Sequence, residues 1–126
     1  MSLASELAAP PPAKIRLAGV SKKFTTNRGT VQALDDINLE IGEGEFVCFV
    51  GPSGCGKSTL LRIVAALEQS FTGTAEVNGK MITEPGRDRT VMFQDHALFP
   101  WLDVIGNVLF GLKLKPDLSN KDRIEV

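Results

Sequence analysis

Gly51-Pro52-Ser53-Gly54-Cys55-Gly56-Lys57-Ser58-Thr59 is the stretch on which the reading of this chain turns. Its spacing is G-x-x-x-x-G-K-[ST], a pattern in which a glycine-rich backbone cradles phosphate groups. The residues before it, Phe46-Val47-Cys48-Phe49-Val50, are all apolar and predict a buried strand. Those after it, from Lys57 through Leu67, predict a helix whose Leu60, Leu61, Val64, Ala65 and Leu67 form a broad apolar surface. Strand, loop and helix in that order are the context the pattern requires. A glycine-rich turn with no ligand is the plain alternative, and the adjacent Lys57-Ser58 pair argues against it.

The chemistry accounts for the spacing. A polyphosphate presents many anionic oxygens, and inward-pointing backbone N–H groups meet them without a dedicated side chain for each. Gly51, Gly54 and Gly56 let the chain approach closely, with Pro52, Ser53 and Cys55 completing the loop. The helix starting near Lys57 directs its unpaired N–H groups and the positive end of its dipole to the same point. Lys57 adds a full charge for the β- and γ-phosphates, and the Ser58 hydroxyl is placed to ligate Mg²⁺. Thr59 can contact the phosphate nearest the sugar.

Composition narrows the class. The 126 residues are the size of one domain, with 43% hydrophobic and 23% charged residues. Fourteen basic against fifteen acidic residues give a net charge of −1, so no global field favours nucleic acid or an anionic membrane. Arg62, Glu68 and Lys113 interrupt the best apolar runs well short of the roughly 18 residues a membrane span needs. The first thirteen residues, with Pro10-Pro11-Pro12, lack the features of a secretory signal and are expected to form a flexible leader, leaving 14–126 as the folded portion. Two cysteines are too few for a disulfide framework or a zinc site. Cys48 is expected in the core, while Cys55 stands near Lys57 within the loop. His96 is alone, with no partners for metal ligation or base catalysis.

The remaining pattern predicts α/β architecture of mixed character. Ile15 to Phe24 predicts a strand, Thr25 to Gly29 a turn, and Val31 to Leu34 a resumed strand. Ile37, Leu39 and Ile41 alternate with Asn38 and Glu40 as a half-buried strand does, and Gly42-Glu43-Gly44-Glu45 turns into the apolar segment. Gly73 to Val77 predicts a strand, joined by an Asn78-Gly79 hairpin to Lys80-Met81-Ile82. Thr90 to Phe93 predicts a short strand, followed by irregular chain through Trp101. Val104 to Lys113 predicts a helix weakened by Gly106 and Gly111, and Ser119 with Asp122 resembles the start of another. The sum is an N-terminal antiparallel β region beside a partial parallel core.

Three further features accompany the loop: Val20-Ser21-Lys22-Lys23-Phe24 ahead of Leu34-Asp35-Asp36-Ile37-Asn38-Leu39; Gly42-Glu43-Gly44-Glu45; and Val91-Met92-Phe93-Gln94 ahead of Ala97-Leu98-Phe99-Pro100-Trp101. Together they resemble the nucleotide-binding subunits of ATP-binding-cassette (ABC) transporters, along nearly the whole chain from Ile15. Leu98-Phe99-Pro100-Trp101 and Gly106-Asn107-Val108 look most like the importer branch for nitrate, sulfonates and taurine.

The resemblance implies a role for each matching position. Phe24 would stack on adenine, against the plainer reading of an ordinary core phenylalanine. Gln94 would reach Mg²⁺ and the attacking water, joining Lys57 as a candidate catalytic residue and Ser58 as a candidate metal ligand. His96 to Trp101 would face a transmembrane permease, the alternative being a Trp101 buried in this chain. A second ATP-binding subunit would complete the site in a homodimer, placing the protein in the cytoplasm on the inner face of the membrane. The family's Leu-Ser-Gly-Gly signature and the apolar strand ending in Asp-Glu do not occur in these 126 residues. The chain therefore matches about the first half of the family's domain. It is expected to bind ATP without turning it over alone, and to be a marginal monomer or to oligomerise across an exposed sheet edge. A short protein that only holds nucleotide is the alternative. A nucleotide kinase or GTPase fits less well, since about thirty residues of β pattern precede the loop and no Asn-Lys-x-Asp occurs.

Overall fold

A computed structural model describes residues 12–95 and 97–115. These fall into two units, divided between Val91 and Met92. The expected leader lies almost wholly outside the described residues, as do the Ser119–Asp122 helix start and His96; Ala13 already belongs to the first strand.

The first unit is built on a four-stranded sheet. β1 (Ala13–Thr26) and β2 (Gly29–Gly42) are 14 residues each and pair antiparallel along their whole length. The segments expected as two strands, Val31–Leu34 and Ile37–Ile41, are one element. They are joined through Asp36, whose φ of 45° accompanies a shift of register. There the Ser21 hydroxyl accepts from the Asp36 N–H at 2.8 Å, and the Asn38 side chain accepts from the Gly19 N–H at 2.9 Å. These bonds hold the bulge that bends the ribbon. β3 (Thr72–Val77) adds antiparallel to β1 on the other side, and β4 (Lys80–Met81) adds to β3, giving the order β2-β1-β3-β4. Asn78 and Gly79 connect the last pair with φ of 52° and 71°, the two positive values that a tight hairpin of this kind demands. Ile82 lies just past β4, and its N–H still donates to the Ala75 carbonyl.

One face of this sheet is covered by α1 (Lys57–Val64), the helix that follows the phosphate-type loop. Leu60 and Ile63 from the helix meet Leu17 and Val20 of β1, Leu34 of β2, and Ala75 and Val77 of β3 in a single apolar core. The helix is shorter than expected: it ends at Val64, and the buried Ala66 takes a φ of 61° that turns the chain back toward β3. All strand pairings among the described residues are antiparallel.

Phe46–Val50 departs from its predicted role. Val47 and Phe49 are half-buried, with Phe49 against the core, while Phe46, Cys48 and Val50 face solvent and Phe46 is 94% exposed. No ladder forms, so Cys48 is exposed rather than packed. A strand that is apolar on both faces needs parallel neighbours and a second layer. Among the described residues neither is supplied, and only the side turned to the core is covered. Thr90–Phe93 likewise forms no strand, and Val91, Met92 and Phe93 are exposed.

In the second unit α2 (Val104–Lys113) matches its predicted bounds despite two glycines. Asp103 caps it, its carboxylate accepting from the Gly106 N–H at 2.6 Å. No helix among the described residues is long and apolar enough to cross a membrane.

Candidate functional site

The loop predicted from its spacing is an extended turn that runs into the first residue of α1. Gly54 and Gly56 have φ of 77° and 97°. Gly56 is the residue just before the helix, and it offers no side-chain cap for the N–H groups of the first turn. Among the described residues no side chain caps those groups. The reason the position is glycine is steric as well as torsional. A Cβ there would stand 2.3 Å from the Ala33 carbonyl oxygen and 2.9 Å from Leu34 of β2. The helix start is thus pressed directly onto the sheet.

Lys57 lies over this turn. Its ammonium donates to the carbonyls of Gly51 and Pro52 at 2.6 and 2.7 Å, and contacts the Cys55 sulfur at 3.3 Å. Ser58 is exposed at the start of the helix, with Thr59 half-buried beside it. A concave loop with positive φ, an uncapped helix start, an ammonium and a free-standing hydroxyl together fit a polyphosphate. The Ser58 hydroxyl is able to contribute one oxygen to Mg²⁺, an ion that takes few protein ligands when phosphate oxygens supply others.

Phe24 is tied to this centre through the sheet. Gly56 abuts Leu34, Leu34 pairs with Lys22 across β1 and β2, and Phe24 is two residues beyond Lys22 on the same face. That is about 7 Å along the strand. Its ring is 38% exposed. Gln94, in the second unit, is exposed in a bend. Nearby Phe99 packs against Phe110 at 4.3 Å and Trp101 at 5.2 Å between ring centroids. Asn107 binds this turn to α2: its amide donates to the carbonyls of Phe99, Leu102 and Asp103 and accepts from the Phe99 N–H. Trp101, whose burial in this chain is the alternative reading above, is 74% exposed, and Leu98 and Val108 of the same unit are open to solvent.

Lys22 is the residue that pattern reading passed over. It is only 6% exposed, its ammonium bonded to Glu68 at 3.0 Å and to the Ser70 carbonyl. The same ammonium stands 4.7 Å from the centre of the Phe24 ring. The signal was present in the alternation: Val20, Lys22 and Phe24 share one face of β1, and Val20 is fully buried. Lys22 and the Ser70 N–H hold the Glu68 carboxyl below its ordinary range, more strongly than its partial burial raises it.

A family model described as ABC transporter matches residues 34–126, which include the whole loop and α1. The chain belongs to the ABC transporter family. Among relatives of this ABC chain, a nitrate import ATP-binding protein of Synechocystis sp. is 48% identical over 111 residues, covering 88% of this chain and 41% of that protein. An aliphatic sulfonates import ATP-binding protein of Bacillus thuringiensis is 48% identical over 106 residues, covering 84% of this chain and 42% of that protein. An ABC transporter cassette of bacterial type, solved as a dimer, superposes with a TM-score of 0.73 at 31% identity, over 86% of this chain and 52% of the other. The same cassette bound to ADP and phosphate gives 0.72 at 30% identity. The antiparallel β region and α1 are therefore the N-terminal part of the cassette fold. The ABC chain spans about four-tenths of the length of the curated relatives it matches.

Proposed function

We propose that this chain is the ATP-holding portion of an ABC importer's energy-coupling subunit, with a small oxyanion such as nitrate or a sulfonate as cargo. The observation that carries the reading is the contact of Gly56 with β2, immediately ahead of Lys57 and Ser58. It sets an uncapped helix end, one ammonium and one hydroxyl around a turn too tight for any side chain at Gly56. The likeness to nitrate and sulfonate import proteins supports the cargo class.

The phosphates of ATP lie in the Gly51–Thr59 loop. Backbone N–H groups of Gly54 to Thr59 and the Lys57 ammonium bind their oxygens, and adenine stacks on Phe24. Lys57 counters charge that gathers on the transferred phosphoryl group. Ser58 and Gln94 are the side chains from this chain that would hold Mg²⁺, and Gln94 would orient the attacking water. Mg²⁺ would supply charge neutralisation at the phosphates. A second ATP-binding subunit faces the loop, and the exposed Leu98–Trp101 turn meets a transmembrane permease on the cytoplasmic side. Residues 14–126 form the N-terminal portion of that domain.

Because these 126 residues hold neither a Leu-Ser-Gly-Gly run nor an Asp-Glu strand end, the chain alone binds ATP without turnover. Titration with ATP, with and without Mg²⁺, tests the reading in the chain and its Lys57→Ala variant. Expected are Lys57-dependent binding and no phosphate release. Binding unaffected by Lys57→Ala removes the loop from the account.

A further inference from the structure

Most of the polar side chains around the proposed site are solvated, and one is not. Lys22 projects from β1 into the apolar layer between sheet and helix, where an unpaired ammonium is costly. The chain compensates it with the Glu68 carboxylate and the Ser70 carbonyl, both just past α1. Glu68 also accepts from the Ser70 N–H at 3.0 Å, so the turn after the helix is itself ordered around this carboxylate. The ammonium is held from below by two fixed acceptors and meets the Phe24 ring above at 4.7 Å.

We propose that Lys22 is a positioning residue for the base of the nucleotide, backing one face of Phe24 so that the ring presents its other face, at a fixed angle, to a purine. The proposal rests on the adenine-stacking reading of Phe24 and adds to it a determinant of how that ring is held. Two physical effects follow from the contact. A cation against one face of an aromatic ring draws π density toward itself, which leaves the opposite face less negative and better suited to an electron-rich heterocycle. The contact also restrains the ring's torsions, so less conformational freedom is lost when a base stacks. Phe24 stands two residues before the end of β1, and its cross-strand neighbour Val31 is itself exposed. The same lysine links the base site to the phosphate site, since its strand partner Leu34 lies under Gly56.

The test compares affinities of the 126-residue chain for ATP and for inorganic tripolyphosphate, which lacks base and ribose. Four forms are read: the unaltered chain, Phe24→Ala, Lys22→Met, and Lys22→Met/Glu68→Gln, the last leaving no unpaired carboxylate. ATP is expected to bind more tightly than tripolyphosphate, and Phe24→Ala is expected to erase the difference. Both Lys22 variants are expected to reduce the difference about fivefold while tripolyphosphate affinity stays within about twofold. A purely structural role predicts instead that both ligands weaken in parallel, and that result overturns the proposal. So does a difference left intact when Lys22 is changed. If Phe24→Ala leaves the difference intact, or the unaltered chain shows none, the stacking reading itself falls and this inference goes with it.

Discussion

Gly56 and the Ala33 carbonyl approach so closely that a Cβ on the glycine would sit 2.3 Å from the oxygen. This contact couples the mouth of the loop to β2, and it makes Gly56→Ala a test of whether the helix start must touch the sheet. Gly54 has a similar positive φ of 77° but open space where a Cβ would go. Gly54→Ala should cost about 1 kcal/mol, the expense of a left-handed backbone alone. Gly56→Ala adds the clash and should cost about 3 kcal/mol, with nucleotide binding lost. Urea unfolding of the two variants measures both; equal losses would show that the sheet contact does not constrain the loop.

Lys57 offers a second prediction with a separable readout. Its removal leaves the Gly51 and Pro52 carbonyls without their shared donor. These carbonyls are exposed and can turn to water, so Lys57→Ala should change stability by less than about 1 kcal/mol. Affinity for a triphosphate should fall at least about tenfold, because the lost group carries a full charge. Thermal melting and nucleotide titration on the same sample distinguish the two effects.

The pairing of Glu68 with Lys22 makes stability depend on acidity. The folded state holds the Glu68 carboxyl below its ordinary value of 4.5, chiefly through the hydrogen bond from Lys22. The ionised form therefore favours folding above that value, and its contribution fades as the pH drops below it. Glu68→Gln should remove this component, so the variant and the parent should differ at neutral pH and converge under acid conditions. Melting temperatures recorded between neutral and strongly acid pH decide the matter; a constant gap would sink it.

Asn107 anchors the Phe99–Trp101 turn through a set of bonds from one side chain. Asn107→Ala should loosen that turn at a local cost of about 2 kcal/mol and alter the surroundings of Trp101. Trp101 is the sole tryptophan, so its emission and near-UV dichroism report on this turn without interference. The helix should persist, since Asp103 still caps it.

How much was legible depended on whether an element carries its own determinants. Asn78-Gly79 specified its turn locally, because both residues accept positive φ and the flanking residues alternate. Val104–Lys113 was readable to the residue although Gly106 and Gly111 weaken it, while the Asp103 cap that starts it went unread. The loop was legible for the same reason: its glycines and its lysine are the geometry. Phe46–Val50 was not, since an apolar pentapeptide states a need for neighbours but not whether the described chain supplies them. Ala66 ending the helix was equally hidden, because alanine is a good helix former and only the path to β3 requires its left-handed turn. Lys22 escaped because charge ordinarily signals a solvated side chain, and its two acceptors lie 46 and 48 residues further along.

The grip of Lys57 on two of its own loop's carbonyls has a bearing on selectivity. An ammonium so placed is already solvated by protein, and a singly charged ion such as chloride or nitrate offers it little that those oxygens do not. A ligand with several closely spaced anionic oxygens can reach the amide hydrogens and the lysine together, which no small monoanion can do. On this geometry the turn should favour ligands with several closely spaced anionic oxygens over chloride or nitrate, and nucleotide titration in the presence of those salts would show it.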